Sequence, residues 1–358
     1  MTKRLLLLIG TRKGAFILEG TEGREAFTVK GPFCETMPIQ HFAFDHASGA
    51  VLAGAGSPWY GPMIWRSPDL GETWTNTSEG ITYGEDGPKV AGVWSVCRGH
   101  DGLYAGVEPA GLFRSLDDGA TWSHVDSLRE HPSTPTWEPG GGGLILHTIV
   151  PHPTDAQRMW VGISAVGVFE TTDGGASWVA RNKGVGVVGA PEAGQETGHC
   201  VHKFGIHPDR PDVIYQQNHG GAYRSDDGSA TWVSMNDGLP STFGFPLAVH
   251  PHDPSTVYLI PLNGDDRGRY MPEGQAAVWR SRDEGRSWHK LSDGLPQQDA
   301  FLGVLRDASA VDRLDPAGVY FGTSTGQVFG SRDEGDHWHL IADFLPPVTS
   351  VETVLLDA

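Results

Sequence analysis

The sequence predicts an all-β fold, a seven-bladed β-propeller, and three observations carry that prediction. A phrase of Ser or Thr, an Asp two residues on, usually a Gly two further and then a Trp returns six times. Its spacing of about 50 residues is the period of a repeat architecture, in which each unit is one small sheet. Two short runs of β-forming residues precede the copies, and the two ends of the chain hold complementary parts of one further repeat.

The elements follow in chain order. Segments 4–10, 14–18 and 27–30 read as strands B, C and D of a blade that has neither a strand A nor the repeated phrase. The copies are Ser67-Pro-Asp69-Leu-Gly71-Glu-Thr73-Trp74, Ser115-Leu-Asp117-Asp-Gly119-Ala-Thr121-Trp122 and Thr171-Thr-Asp173-Gly-Gly175-Ala-Ser177-Trp178. They continue with Ser225-Asp-Asp227-Gly-Ser229-Ala-Thr231-Trp232, Ser281-Arg-Asp283-Glu-Gly285-Arg-Ser287-Trp288 and Ser331-Arg-Asp333-Glu-Gly335-Asp-His337-Trp338. Asp and Ser side chains bond nearby backbone N–H groups, Gly supplies the turn geometry, and Trp plugs the adjacent core, so each copy is a self-stapled C–D turn. Strands of type C precede it at 61–66, 110–114, 166–169 and 221–224, and strands of type B at 102–106, 158–162, 213–216, 257–260 and 319–322. The last segment, 350–357, is an A-type strand with no successor. Joined to the N-terminal strands it closes the seventh blade from both termini and removes the open edge of the ring. Six blades is the alternative, and residues 1–358 form a single propeller domain.

These segments resemble the Asp-box, or BNR, repeats of sialidase-like β-propellers, and the resemblance covers the whole chain. The fourth copy departs from the pattern, with Ser229 where Gly is expected. In such a propeller strand A lines the central channel, the D–A and B–C loops gather at one mouth, and the boxes lie on the opposite rim. The long D–A loops here are 31–40, 79–94, 129–146 and 181–201, and one B–C loop, 261–275, is unusually long. Insertions concentrated on one face point to a binding site there.

Composition bounds the partners. A net charge of −18 argues against nucleic acid and anionic membranes. Three cysteines, Cys34, Cys97 and Cys200, make no paired framework, which favours a reducing compartment. The apolar run 5–9 is too short for a signal peptide and is needed as a strand. The expected location is the cytoplasm.

Aligning the A strands without gaps, five residues before each strand-end His or Asp, places His41, Ser95, His147, His202, Phe245, Asp307 and Glu352 at one equivalent position. In a toroid such positions share a ring. His41, His147, His202 and Glu352, with Asp307 as a further ligand or a supporting partner, are then sufficient for a divalent ion (Fe, Zn, Mn or Cu) with one position open. The competing reading is a hydrated polar channel lining with no ion. His152, His207 and His250 precede prolines at A–B turns and carry no functional weight. Asn218 and His219 lie on the mouth face as candidate ligand contacts.

The sialidase resemblance implies three arginines around a substrate carboxylate, the first in an Arg-Ile-Pro segment. The comparable stretch here is Met37-Pro38-Ile39-Gln40-His41, and most arginines abut the boxes. Only Arg12, Arg267, Arg269 and Arg306 approach the mouth, so true sialidase activity is not expected. A general glycosidase needs two carboxylates flanking a cleft, and Glu108, Asp265 and Asp266 fall on mouth-side loops with Tyr60, Trp137 and Arg267 as sugar contacts. The first expectation is a metal-dependent enzyme acting on a small molecule. Glycoside hydrolysis or carbohydrate binding is the second, and a non-catalytic interaction scaffold the third.

Overall fold

The computed structural model describes residues 3–186 and 196–357. These residues form seven four-stranded antiparallel sheets in a closed ring. The inner strands, in ring order, are Val348–Asp357, Ile39–Asp45, Gly92–Arg98, Leu146–Pro151, Val201–His207, Gly244–Val249 and Ser309–Val311, and they number blades 1 to 7. Blade 1 is the closure predicted from the termini. Lys3–Thr11 pairs with Val348–Asp357 along its length, from Lys3 opposite Asp357 to Thr11 opposite Val348. Leu5 to Ile9 are fully buried because this strand is covered by sheets on both faces, so its apolar residues run on without alternation. No helix among the described residues is long and apolar enough to cross a membrane.

The boxes are hydrogen-bonded as their chemistry requires. Ser115 Oγ donates to Asp117 Oδ1 at 2.7 Å and accepts the Gly119 N–H at 2.8 Å. Asp117 Oδ1 accepts the Thr121 N–H at 2.8 Å, and Oδ2 takes the Thr121 hydroxyl at 2.7 Å. The copy at Ser331 replaces the hydroxyl with His337 Nδ1, 2.7 Å from Asp333 Oδ2. The box tryptophans do more than plug a core. Trp122, Trp232 and Trp288 donate their indole N–H to Thr77, Arg181 and Met235 carbonyls at 2.7, 2.7 and 2.9 Å, each on the preceding blade.

Two departures from the repeat have physical reasons. Ser229 takes the left-handed backbone of the glycine it replaces (φ 80°), and its Oγ accepts the N–H of the fully buried Trp160 at 3.0 Å. Blade 1 has no box. In its C–D turn Arg24 reaches blade 7 instead, 2.9 Å from Asp312 Oδ2, donating to the Pro316 and Arg332 carbonyls at 2.7 and 2.9 Å.

Candidate active site

The inner strands are not straight ladders, and this decides what faces the channel. In the pairing of strands A and B, one residue is skipped in blade after blade: Gln40, Trp94, His147, His202 and Thr349, with a comparable step at Phe245–Pro246. A β-bulge re-aims the side chain it carries and shifts the alternation beyond it. The seven gap-free equivalent positions therefore fall into two orientations. His147, His202 and Phe245 are bulge positions, whereas His41 follows its bulge by one residue and Glu352 follows Thr349 by three.

Bulge side chains build the mouth. Gln40, Trp94, Phe245 and Thr349 line a cleft of about 530 Å³ with Arg12, Glu108, Arg269, Arg306 and Asp307. Glu108 Oε2 accepts the Trp94 indole N–H at 3.1 Å. Burial raises the Glu108 carboxyl above the usual carboxylate range, against the opposing pull of Trp94 and the Arg306 charge. The Arg306 guanidinium stands 5.7 Å from the Trp94 ring, and Arg269 lies 5.5 and 5.8 Å from the rings of Phe243 and Phe245. The turn carrying the exposed Trp59 and Tyr60 adjoins Ser57 and Pro58 on the cleft wall.

Below the mouth, His41, Lys203, Asp307, Ser350 and Glu352 line a small cavity of about 170 Å³. The expected five-residue metal set is not one centre. His41, Asp307 and Glu352 do share this cavity, but the cation among them is the ammonium of Lys203, ion-paired with Asp307. The bulge at His202 is the cause, because it turns the next residue, Lys203, into the channel and His202 sideways. Burial pushes Glu352 up to about 7 and His41 down to about 4. His147 is fully buried with both nitrogens engaged: Nε2–H donates to the Val201 carbonyl of the next blade at 3.0 Å, and Nδ1 accepts from Thr148 Oγ1 at 2.9 Å. His202 likewise donates Nδ1–H to the Gly244 carbonyl at 2.6 Å, and burial pushes its pKa down to about 3. His41 Nδ1 accepts the Val96 N–H at 3.4 Å. These side chains tie neighbouring inner strands together. Among the described residues, one group of three metal-type donors lies within 4.8 Å of one another, namely Cys200, His202 and His219.

The other expected contacts divide. Trp137 is a core residue, 9% exposed, donating to Ser133 Oγ at 3.0 Å and packing on Phe169 at 5.4 Å. The long D–A loop folds Trp137 back onto the core between blades 3 and 4, among Leu112, Leu128, Val166 and Phe169. Asn218 is buried at the B–C turn, where its Oδ1 accepts the Gly220 N–H at 3.2 Å. Asp266 and Arg267 are exposed, 3.6 Å apart, and edge a separate hollow beside His219 and Phe243. Asp265 opens the same short turn, and its side chain lies outside the described residues. Trp94 and Lys203 line the site without any sequence signal of their own. A bulge leaves no mark in composition or spacing, so neighbours of the counted positions carried no signal.

No protein-family model matches the chain. Over 267 residues it is 29% identical to a xyloglucanase of a Paenibacillus species, a match covering 66% of this chain and 24% of that protein. The chain thus spans about a quarter of the length of the curated relatives it matches. Among solved structures it resembles a GH74 xyloglucanase from Xanthomonas campestris, with a TM-score of 0.63 and 19% identity over 94% of this chain and 52% of that one. It also resembles YCF48 bound to a D1 peptide, with a TM-score of 0.57 and 15% identity over 89% of this chain and 91% of that one. At these identities the structural likeness shows the shared propeller fold.

Proposed function

We propose that the chain is a glycoside hydrolase-type propeller that takes a carbohydrate at the channel mouth, with Glu108 as proton donor. The observation that carries this reading is the Glu108 carboxyl, raised by burial inside an aromatic-rimmed cleft and oriented by Trp94. A carboxyl that holds its proton more tightly than an ordinary one is what departure of a glycosidic oxygen requires. Asp307 is the second carboxylate of the same cleft and the candidate base, held by Lys203. Trp59 and Tyr60 offer apolar faces for sugar rings at the rim. The sequence similarity to xyloglucanases supports this reading and makes xyloglucan oligosaccharides the first substrates to test.

The test is reducing-end release from a panel of glucan and xyloglucan oligosaccharides. Glu108→Gln should lower kcat by about 100-fold or more with little change in KM, since general acid catalysis contributes on the order of 10²–10⁴. In the wild type, activity should fall as pH rises through the raised Glu108 pKa. Full activity in the Gln variant, or neither turnover nor binding across the panel, would overturn the assignment.

A further inference from the structure

One cluster contributes to the lining of neither the carbohydrate cleft nor the small cavity below it: Cys200, His202 and His219, at the start of the inner strand of blade 5 and the end of the strand paired with it. The backbone brings them together. Val201 pairs with Asn218, and the His219 N–H donates to the Cys200 carbonyl at 2.9 Å, so Cys200 and His219 face each other one step beyond the ladder. His202 joins them because it is a bulge residue, turned out of the ordinary strand alternation.

We infer that Cys200, His202 and His219 form a binding site for a borderline-soft divalent ion of the zinc class. The three donor atoms lie within 4.8 Å of one another, and Cys200 Sγ is 3.7 Å from His202 Nε2. Tetrahedral zinc, with bonds of about 2.0–2.1 Å to nitrogen and 2.3 Å to sulfur, sets donor separations of roughly 3.3–3.6 Å. The sulfur–nitrogen pair, at 3.7 Å, is just beyond that spacing, and with every donor pair within 4.8 Å the set closes by shifts of about 1 Å or less. The tautomer of His202 is also suitable. Its Nδ1–H donates to the Gly244 carbonyl at 2.6 Å, so the lone pair of the neutral ring is on Nε2, the atom facing Cys200. A backbone carbonyl on the far ring nitrogen is the usual support of a metal-bound histidine. The ring is clamped as well, 4.6 Å from Phe245 and 5.5 Å from Phe243, with His219 edge-on at 5.4 Å. One thiolate and two imidazoles suit zinc, while magnesium and calcium prefer oxygen. His219 also lines, with Phe243, a neighbouring hollow from which water or a small ligand could approach the site. On binding, the Cys200 thiol gives its proton to solvent and the sulfur–metal bond replaces the S–H bond.

The experiment uses the reduced full chain with no histidine tag. Titrating Zn²⁺ against a chromophoric chelator should show one equivalent bound. Co²⁺ should give a sulfur-to-cobalt charge-transfer band and tetrahedral visible absorption. Cys200→Ser should abolish the band, and Cys200→Ser and His219→Gln should each weaken Zn²⁺ binding at least tenfold, while His252→Ala on an exposed turn changes neither. As a measure that needs no variant, Zn²⁺ should slow alkylation of Cys200 in the wild type, followed by peptide mass. Uptake below a tenth of an equivalent, unchanged binding in both variants, or no protection of Cys200 would overturn the site.

Discussion

Replacing Arg24 with Met tests how the ring is locked at blade 1, where no box Trp reaches back to the preceding blade. Arg24 is 5% exposed and Asp312 1% exposed, and their charged groups meet at 2.9 Å. In Arg24→Met the Asp312 carboxylate keeps the Gly318 and Leu314 N–H groups at 2.9 Å and the Tyr320 hydroxyl at 2.7 Å but loses the cation paired with it. The Pro316 and Arg332 carbonyls lose their donor at the same time. Leaving one charge of a buried pair uncompensated costs about 3–5 kcal/mol. An unfolding entropy of about 2.1 cal/mol/K per residue gives roughly 0.75 kcal/mol/K for a chain of 358 residues. The expected fall in Tm is therefore about 4–7 °C. The control is Arg4→Met on the same blade, where the pair with Glu19 has side chains 39% and 24% exposed. Such pairs are worth about 0–1 kcal/mol, so Tm should move by little more than about 1 °C. Differential scanning calorimetry of the three proteins at neutral pH decides the matter. An Arg24→Met melt within about 1 °C of wild type, or matching the Arg4 control, would refute the idea that this ion pair does the closing work of the missing box.

Two further predictions concern buried polar groups. Glu352 titrates at about 7 in the folded chain, pushed up by burial, against roughly 4.3 when unfolded. Its contribution is fully present below the unfolded value and is lost as pH rises through the folded one, costing at most ~4 kcal/mol at pH ~8, less where water reaches the half-buried side chain. Glu352→Gln should match wild-type stability near pH ~4 and exceed it by about 1–3 kcal/mol near pH ~8; equal urea midpoints at both pH values would contradict this. Ser229→Ala keeps the left-handed turn but leaves the buried Trp160 indole N–H without its acceptor, at a cost of about 1–3 kcal/mol. A melting temperature equal to wild type would show that Ser229 holds its place in the box for some other reason.

The seven blades were legible before any coordinates because the information is local. A Ser or Thr, an Asp and a Trp at set offsets make the same four-bond staple wherever they occur, and the leftover strands at 4–10 and 350–357 could satisfy their edges only with each other. The positions of Glu108, Arg12, Arg269 and Arg306 at the cleft were legible for a similar reason, since loop ends are placed by blade topology, whereas Arg267 lies at a separate hollow. The site's side-chain directions were not. A single skipped residue in a strand pairing reverses the alternation beyond it, and that skip is set by how each inner strand settles against the next blade. Sequence determined the ring, its closure and the face that carries the cleft. Only the tertiary structure decided that Lys203 enters the channel while His147 and His202 turn between blades, because bulge position is chosen by packing across the ring and not by the strand's own residues.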